Sequence, residues 1–490
     1  MLFNTIDFIV FFIVLTSALV LIKNRKFQYL LLLGASYFFF YYSSNYLIIL
    51  LIFTTIWDFY FGKFIYSATD LKKKKIILII SLAGNLGLLG FYKYADFAIT
   101  QFNIFGHYFD LQSQIPLLEL ALPIAISFYT FHSITYTVGL YRRHFEPAKS
   151  FTEYAIFVAF FPQLVAGPIL RAKDFLPQLR EKIDTFNTKS GLKKIKIEYS
   201  NLRFGITLMA LGFFKKMFFA DNIAPMVNEI FSNPVGHDSF TILLGTIGFG
   251  IQIYCDFSGY TDIAIGAASI LGFKIPLNFN KPYFATSPSN FWRRWHISLS
   301  SWLRDYLYVP LGGNRKGLNR TYLNLFLVMF LGGLWHGASW NFVIWGVLHG
   351  LYLAIHKAIL HKFPFLENNP FFATKLGKVT SIILTQYFVF LAWIPFRVHD
   401  TQNMLYSMEK YVFLDLQISG IQNFVIHHEF SIAIMVLFGI LHYISYKKIN
   451  LVESLSNSKY RYWFVFLSVI ILLILLFYNG NPETFIYFQF

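Results

Sequence analysis

The sequence predicts an all-α integral membrane protein, folded as a multi-pass helical bundle with re-entrant or half-membrane helices around a central cavity. The chain has 490 residues, of which 56% are hydrophobic and 20% aromatic, and this composition lies far from that of soluble proteins. Apolar runs long enough to cross a bilayer recur along the whole chain. Because a bilayer offers no water to unpaired backbone groups, these runs are expected to be helical.

About a dozen crossings or half-crossings are expected, within one membrane domain that covers residues 1–490. The longest polar insert, about residues 171–201, is too short to form a soluble domain. The plainest apolar runs are 5–22, 29–43, 46–66, 76–93, 117–140, 203–220, 239–256, 321–335, 340–360, 379–396, 430–446 and 462–479.

The basic residues give the expected orientation of these spans. The net charge is +16, and Lys and Arg collect in short loops beside the spans, as the positive-inside rule requires, so nucleic-acid binding is not expected. Basic clusters at 23–26 and 72–75 indicate cytoplasmic loops. This orientation places the N-terminus and residues 480–490 on the outer face of the membrane.

Two features are expected to carry little chemistry. Residues 95–116 are rich in Phe and poor in charge, and they are expected to form an outer loop that lies in the membrane interface. Cys255 is the only cysteine, so the chain cannot form an internal disulfide. Inside an apolar run, Cys255 is expected to behave as a small hydrophobic residue.

Residues 278–350 are different in kind. The first half of this stretch interleaves charged and aromatic residues, and this mixture favours an interfacial or re-entrant element buried against protein. Its ionisable residues include Arg293, Arg294, His296, Arg304 and Asp305. The second half is an apolar span in which Trp335 precedes His336. An ionisable side chain at membrane depth is costly and usually faces a cavity or a water-filled path.

The stretch YCDFSGYTDIAIGAA, residues 254–268, places two acids in an apolar neighbourhood. Asp256 and Asp262 lie there, with Ser258 between them. Because a buried carboxylate needs a partner, we expect both acids to pair with the basic residues of 293–320.

The segments RWHISLSSWLRDYLYVPLGGNRKG and LGGLWHGASWNFVIWGVLHG closely resemble the core of the membrane-bound O-acyltransferases. Within that family, the chain is most similar to the bacterial branch that acetylates alginate and related polysaccharides. Further matching segments are LPIAISFYTF (122–131) and FFPQLVAGPILRAKDF (160–175), so the resemblance is concentrated in residues 122–350. A weaker match follows at AWIPFR (392–397), where Pro395 replaces the phenylalanine that is usual in the family. Ala125 departs from the family pattern, which usually has glycine there.

The resemblance implies an O-acyltransferase of the bacterial inner membrane, with His336 as the general base. The ordinary pKa of histidine, about 6.5, leaves a neutral imidazole that can take a hydroxyl proton. His296 is the implied companion that binds or polarises a thioester carbonyl, and the separation of 336 − 296 = 40 residues lets two helices bring both histidines to one cavity. No metal is expected. The residues expected to bind substrate or support the site are Trp335, Arg293, Arg294, Arg304, Asp305, Asp256 and Ser258.

The last six residues, FIYFQF, resemble a tail shared by some bacterial members of the family. The resemblance implies Tyr487 as a transient acyl carrier that accepts an acyl group inside and presents it outside. The alternative is an aromatic anchor at the membrane interface, which would tolerate any arrangement of aromatic residues.

The implied donor is a cytoplasmic thioester, either acetyl-CoA or an acyl carrier, and no bound cofactor is expected. The implied acceptor is an extracytoplasmic polysaccharide, such as an alginate-like exopolysaccharide, peptidoglycan or another surface glycan. A periplasmic or extracellular acetyltransferase is an expected partner, and membrane lipid surrounds the protein. Two alternatives stay open: a transporter of a glycan or lipid intermediate, for which broken helices are also typical, and a lipid-acylating enzyme of the same superfamily. The sequence has no GxSxG, HExxH or GxxxxGK[ST] motif that would indicate another chemistry.

Overall fold

The computed structural model describes residues 1–22, 24–109, 114–164, 167–183, 197–367, 369–415, 421–448, 450–478, 480 and 483–488. Over these ranges the secondary structure consists of helices joined by short loops, without a β-strand. The prediction of an all-α fold is therefore confirmed. Of the predicted tail 480–490, only residue 480 and residues 483–488 are described, and the rest, like Lys23 in the predicted cytoplasmic loop, lies outside the described residues.

The first of two compact units comprises Met1–Met209 and Tyr260–Pro276. Its buried acid Asp58 accepts hydrogen bonds from Ser81 Oγ at 2.8 Å and from Asn85 Nδ2 at 2.8 and 2.9 Å, so the carboxylate is satisfied inside the helices. The helices of this unit are α1 (Ile6–Leu21), α2 (Arg25–Ser44), α3 (Ile48–Ser67), α4 (Leu71–Tyr108), α5 (Ile126–Tyr141), α6 (Phe151–Ala159), α7 (Phe161–Leu164), α8 (Ala172–Ile183) and most of α9 (Tyr199–Phe213).

The second unit comprises Ala210–Gly259 and Leu277–Phe490. After α9 the helix continues as a π-helical turn, Phe214–Ala220, and a second such turn covers Arg304–Tyr308. Turns of this kind are rare and occur often at functional sites. The helices are α10 (Asp221–Ser232), α11 (Ser239–Ile270, whose end belongs to the first unit), α12 (Pro288–Trp292), α13 (Ile297–Leu303), α14 (Leu318–His336), α15 (Trp340–Lys362), α16 (Pro370–Ala373), α17 (Lys375–Arg397), α18 (Thr401–Val412), α19 (Ile421–His427), α20 (Glu429–Lys447), α21 (Leu451–Ser456) and α22 (Tyr460–Leu476).

Six helical stretches in the described part of the chain are long and apolar enough to cross a membrane. They are Lys26–Ser67, Leu71–Tyr108, Ser239–Ile270, Trp340–Lys362, Lys375–Arg397 and Glu429–Lys447. Shorter apolar helices cover Ile6–Leu21 and Tyr460–Leu476. A multi-pass membrane protein is therefore confirmed.

Two predicted boundaries are wrong. Helix α4 runs on to Tyr108, so most of the predicted outer loop 95–116 is helical. Helix α11 ends at Ile270 rather than near residue 256. In both places the average hydropathy falls while no proline or cluster of turn residues interrupts the helix, so polarity alone was a poor indicator of a helix end.

Close packing of α14 and α15 sets the geometry around His336. The two helices are joined by residues 337–339 and pack along each other. A Cβ atom on Gly333 would lie 2.3 Å from the carbonyl oxygen of Phe342, and one on Gly346 would lie 2.6 Å from the carbonyl oxygen of Met329. Only glycine permits this approach of the two backbones, as is common between helices in membranes.

Candidate active site

His336 is the last residue of α14 and lies among aromatic rings. The residue is 5% exposed, and its ring centroid is 4.8 Å from that of Trp345, 4.9 Å from Trp335 and 5.1 Å from Phe396. A Cβ atom on Gly337, the next residue, would lie 2.1 Å from the ring of Phe342, so the chain turns away from α14 through a space that only glycine fits. This packing holds the imidazole in one place.

His296 precedes α13 in a strained backbone conformation. Its φ of 42° and ψ of 54° lie in the left-handed region, which costs a non-glycine residue about 1–2 kcal/mol. Such strain is concentrated at functional sites. The next two backbone N–H groups both bind Asn278: Ile297 donates to its carbonyl oxygen at 2.9 Å, and Ser298 donates to its Oδ1 at 3.2 Å.

The imidazole of His296 is buried and neutral. The residue is 1% exposed, and within the described part of the chain neither ring nitrogen has a hydrogen-bond partner. Burial lowers the pKa of His296 to about 3, because a cation would lose its solvation there. A neutral imidazole with one N–H can donate to a carbonyl oxygen at any physiological pH.

Tyr487 lies close to both histidines. Its ring centroid is 5.6 Å from that of His336 and 6.2 Å from that of His296, and the ring packs on Phe257 at 4.5 Å. Burial, reinforced by the nearby charge of Asp256, raises the pKa of the Tyr487 phenol far above its ordinary value. The phenol therefore keeps its proton unless a neighbouring base removes it. Tyr487 therefore contacts two histidines that are distant from it in sequence.

A buried ion network lies beside Tyr487. Lys216 Nζ donates to Asp221 Oδ1 at 2.7 Å and to Asp256 Oδ1 at 2.8 Å. The predicted pairing of Asp256 with the basic residues of 293–320 is therefore wrong. The reason is a close approach of α11 to the first π-helical turn: a Cβ atom on Gly259 would lie 3.2 Å from the backbone nitrogen of Lys216.

The same network contacts residues 483–488, which we call the tail segment. Lys216 Nζ also donates to the carbonyl oxygen of Glu483 at 2.8 Å, and the N–H of Ile486 donates to Asp256 Oδ2 at 2.8 Å. At the side chain of Glu483, Asn228 Nδ2 donates to Oε1 at 2.9 Å. Arg397 Nη2 in turn donates to Asn228 Oδ1 at 2.8 Å.

The predicted basic residues have separate positions. Arg294 Nε donates to Asn290 Oδ1 at 3.0 Å, which braces the loop before His296. Arg293 is exposed, and Arg304 Nε pairs with Asp305 Oδ1 at 2.8 Å in a largely exposed position. The structure therefore gives Arg294 a local bracing contact, while Arg293 and Arg304 are accessible to an anionic ligand.

Two further predicted residues are buried near the histidines or the tail segment. Trp335 is 8% exposed, and its ring centroid is 6.2 Å from that of His296 as well as 4.9 Å from that of His336. Ser258 follows Phe257 on α11, and among the described residues its buried Oγ has no hydrogen-bond partner.

Sequence reasoning missed Lys216 and Asp221. A signal was present, since Lys216 lies in the apolar run 203–220 and a charge at membrane depth indicates a function or a specific partner. The counter-charges, however, come from residues 5 and 40 positions away (221 − 216 and 256 − 216), and only the structure identifies them.

One group of side chains among the described residues could hold a metal ion. Ligand atoms of Glu229, His427 and His428 all lie within 4.8 Å of one another. Glu229 and His427 are exposed, and the group includes neither His336 nor His296. The group therefore adds nothing to the chemistry of the two central histidines.

Residues 142–394 match the model of the membrane-bound O-acyltransferase (MBOAT) family. The chain is 40% identical over 349 residues to the "Probable alginate O-acetylase AlgI" of Pseudomonas putida, which covers 71% of this chain and 67% of that one. It is 35% identical over 387 residues to the "Peptidoglycan O-acetyltransferase" of Helicobacter pylori, which covers 74% and 69%. It is also 29% identical over 252 residues to the "Teichoic acid D-alanyltransferase" of Streptococcus thermophilus, which covers 49% and 58%.

Proposed function

The chain belongs to the membrane-bound O-acyltransferase family and is an O-acyltransferase, and we propose that it transfers acetyl groups across the membrane for the O-acetylation of a surface polysaccharide. Two of its relatives are named for acetyl transfer to alginate and to peptidoglycan, and both names describe transfer to a glycan outside the cytoplasm. The acceptor class that fits both is a sugar hydroxyl of an alginate-like exopolysaccharide or of peptidoglycan.

The meeting of Tyr487 with His336 and His296 is the observation that supports this function best. Acyl transfer from a thioester needs a base for the acceptor hydroxyl and a polar group for the carbonyl oxygen. His336 is the candidate base, and the neutral His296 is the candidate donor to the carbonyl. The phenol of Tyr487 is the first acceptor, 5.6 Å from the ring of His336 between centroids.

The transfer then proceeds in two balanced steps. In the first, His336 takes the phenolic proton while the Tyr487 oxygen attacks the thioester carbonyl. An O–C bond forms, the C–S bond breaks, and the thiolate leaves and is protonated. In the second, a hydroxyl attacks the carbonyl of the tyrosyl ester and forms a new C–O bond. The bond between that carbonyl and the Tyr487 oxygen breaks, while His336 takes the proton of the hydroxyl and passes it to the phenolate. Because its pKa is raised, the Tyr487 phenolate is a poor leaving group, and protonated His336 must return a proton to the phenolic oxygen as the ester bond breaks.

We place the donor on the cytoplasmic side and the acceptor outside. The basic clusters 23–26 and 72–75 support this orientation, with the N-terminus and the tail segment on the outer face of a bacterial inner membrane. The donor is acetyl-CoA or an acyl-carrier thioester, and the exposed Arg293 and Arg304 suit its anionic groups. A periplasmic or extracellular acetyltransferase takes the acetyl group onward to the polysaccharide.

Replacement of His336 by Ala tests the proposal. Loss of a general base costs about 100- to 10,000-fold in rate, so acetyl transfer is expected to fall by at least about 100-fold. The matched control is His349→Ala, since His349 is equally buried and its ring also packs on Trp345, at 4.7 Å.

The measurement is the O-acetyl content of the cell's polysaccharide, together with the amount of each variant in the membrane. Normal acetylation by His336→Ala at a normal protein level would rule out the proposed base. A loss shared equally by His349→Ala would mean that packing, rather than acid–base chemistry, explains the result.

A further inference from the structure

We propose that Lys216 and Asp256 form a binding site for the backbone of the tail segment, which we call the seat. By binding this backbone, the seat positions Tyr487 next to His336. Nothing in the established O-acyltransferase activity assigns a role to Lys216, Asp221 or Asp256. They are positioning residues, because they contact the backbone of the tail rather than its reacting side chain. The consequence for acetyl transfer rests on the proposed role of Tyr487, whereas the seat itself does not.

The first argument is the use of the ammonium group. A lysine ammonium has three N–H donors. Lys216 Nζ has three acceptors within 2.8 Å: Asp221 Oδ1, Asp256 Oδ1 and the carbonyl oxygen of Glu483. The side chain of Lys216 is 1% exposed, so water cannot replace an acceptor that leaves. Withdrawal of the tail would remove one of these acceptors from a buried cation, which costs free energy.

The second argument is that the two carboxylate oxygens of Asp256 bind different partners. One carboxylate oxygen binds Lys216 at 2.8 Å, and the other accepts from the N–H of Ile486 at 2.8 Å. Lys216 therefore holds a carbonyl and Asp256 holds an N–H three residues further along the tail. Tyr487 follows Ile486 directly, so its ring is placed by the hydrogen bond before it.

The third argument is that one hydrogen bond to the tail segment depends on the identity of a side chain, that of Glu483. Asn228 donates to Glu483 Oε1 at 2.9 Å, and Asn228 is itself held by Arg397. The tail segment also makes aromatic contacts, with Phe485 buried and 5.7 Å from Phe257 between ring centroids. Apolar contacts of this kind do not fix direction, whereas the hydrogen bonds to Glu483 and Ile486 do.

The decisive variant is Ile486→Pro, which deletes the N–H that Asp256 accepts and leaves the buried charges in place. Ile486 is the first residue of the short helical turn Ile486–Phe488, a position where proline fits the helix. The matched control is Ile486→Val, which keeps the N–H and changes the side chain by one carbon. A second pair of variants tests the hydrogen bond from Asn228: Glu483→Ala removes the acceptor oxygen, and Glu483→Gln keeps it.

Tail mobility is measured with a spin label on Thr484→Cys in the full-length protein in lipid nanodiscs. Thr484 is exposed, whereas Cys255 is fully buried, and protein without Thr484→Cys shows the background labelling. We expect an immobilised label in the parent, in Ile486→Val and in Glu483→Gln. We expect a mobile label in Ile486→Pro and in Glu483→Ala, with thermal midpoints of the helical bundle unchanged.

Acetyl transfer is expected to fall about 10- to 100-fold in Ile486→Pro and to stay at the parental rate in Ile486→Val. If the label is as immobile in Ile486→Pro as in Ile486→Val, the proposed seat is refuted. The proposed role of Tyr487 is judged separately, by transfer in Tyr487→Phe. A mobile tail in Ile486→Pro supports the seat whatever Tyr487→Phe does.

Discussion

Gly333 lies one turn before His336 on α14, and its replacement by Ala tests whether close helix packing sets the position of the imidazole. A Cβ atom at residue 333 would lie 2.3 Å from the carbonyl oxygen of Phe342 and 2.9 Å from the Cα of Gly346. Both are backbone atoms, so the clash is relieved by separation of α14 and α15 rather than by rotation of a side chain. Reaching an ordinary contact of 3.4 Å requires a shift of 3.4 − 2.3 = 1.1 Å.

A shift of this size predicts both a loss of stability and a loss of acetyl-transfer rate. Overpacking of this kind costs about 1–3 kcal/mol in the free energy of unfolding. A reacting group that is misplaced by about 1 Å loses about 100-fold in rate. We therefore expect Gly333→Ala to have a lower thermal midpoint and to transfer acetyl about 100-fold more slowly than the parent.

Gly332→Ala is the matched control, because among the residues that the structure describes the nearest atom to its Cβ would be Leu303 Cδ1, at an ordinary contact distance of 3.5 Å. Inside a helix, Ala is favoured over Gly by about 1 kcal/mol, so this variant is expected to be as stable as the parent or slightly more stable. The assay follows thiol release from acetyl-CoA by each purified variant in nanodiscs, with thermal unfolding on the same samples. Equal transfer rates for the two variants would refute the link between helix packing and the position of His336.

Two further predictions concern the residues around His336. Tyr487→Phe keeps the ring packed on Phe257 but removes the acceptor oxygen, so covalent labelling of the protein by a radioactive acetyl donor is expected to disappear. The control Tyr478→Phe changes an exposed tyrosine and should retain the label. Label that persists in Tyr487→Phe would exclude Tyr487 as the carrier. His296 has a pKa of about 3 in the folded protein and about 6.5 in the unfolded chain, so the unfolded chain binds more protons between these pH values. The free energy of unfolding is therefore expected to fall as the pH drops below 6.5, by about 1 kcal/mol per pH unit from this residue. Thermal midpoints from pH 7 to pH 5 should therefore decline more steeply in the parent than in His296→Gln, and parallel declines would contradict the buried neutral imidazole.

Much of the fold could be predicted from the sequence, because apolar length carries the signal for membrane helices. Helix α14 was predicted at 321–335 and is found at Leu318–His336, and α15 was predicted at 340–360 and is found at Trp340–Lys362. Ala125 was recognised as a departure from a family glycine, and the structure gives the reason for that glycine: its φ is 64°, in the left-handed region. What could not be predicted was the length of α4 and α11, because their ends follow packing rather than composition.

The candidate residues of the site could be proposed from the sequence, but the contacts between them could not. His336, His296 and Tyr487 were each identifiable from the segments around them, and no pattern in the sequence states that their rings lie within 6.2 Å of Tyr487. Asp256 was recognised as a buried acid, yet its partner was assigned to the wrong segment, because charge balance identifies the need for a cation but not its position. The partner is determined by Gly259, whose lack of a side chain lets α11 approach Lys216.

The buried ion network also explains why polar contacts, and not aromatic ones alone, hold the tail segment. The tail sequence FIYF consists of four consecutive large apolar or aromatic residues, and a purely apolar groove would accept it shifted by one residue with little loss of free energy. Every tail residue other than Pro has a backbone N–H and a carbonyl, so Asp256 and Lys216 fix the direction of the tail, whereas the hydrogen bond from Asn228 to the side chain of Glu483 fixes its register. Buried ion pairs add little to stability but can enforce a unique register. Here the register determines whether the residue that reaches His336 is a tyrosine with a hydroxyl or a phenylalanine without one.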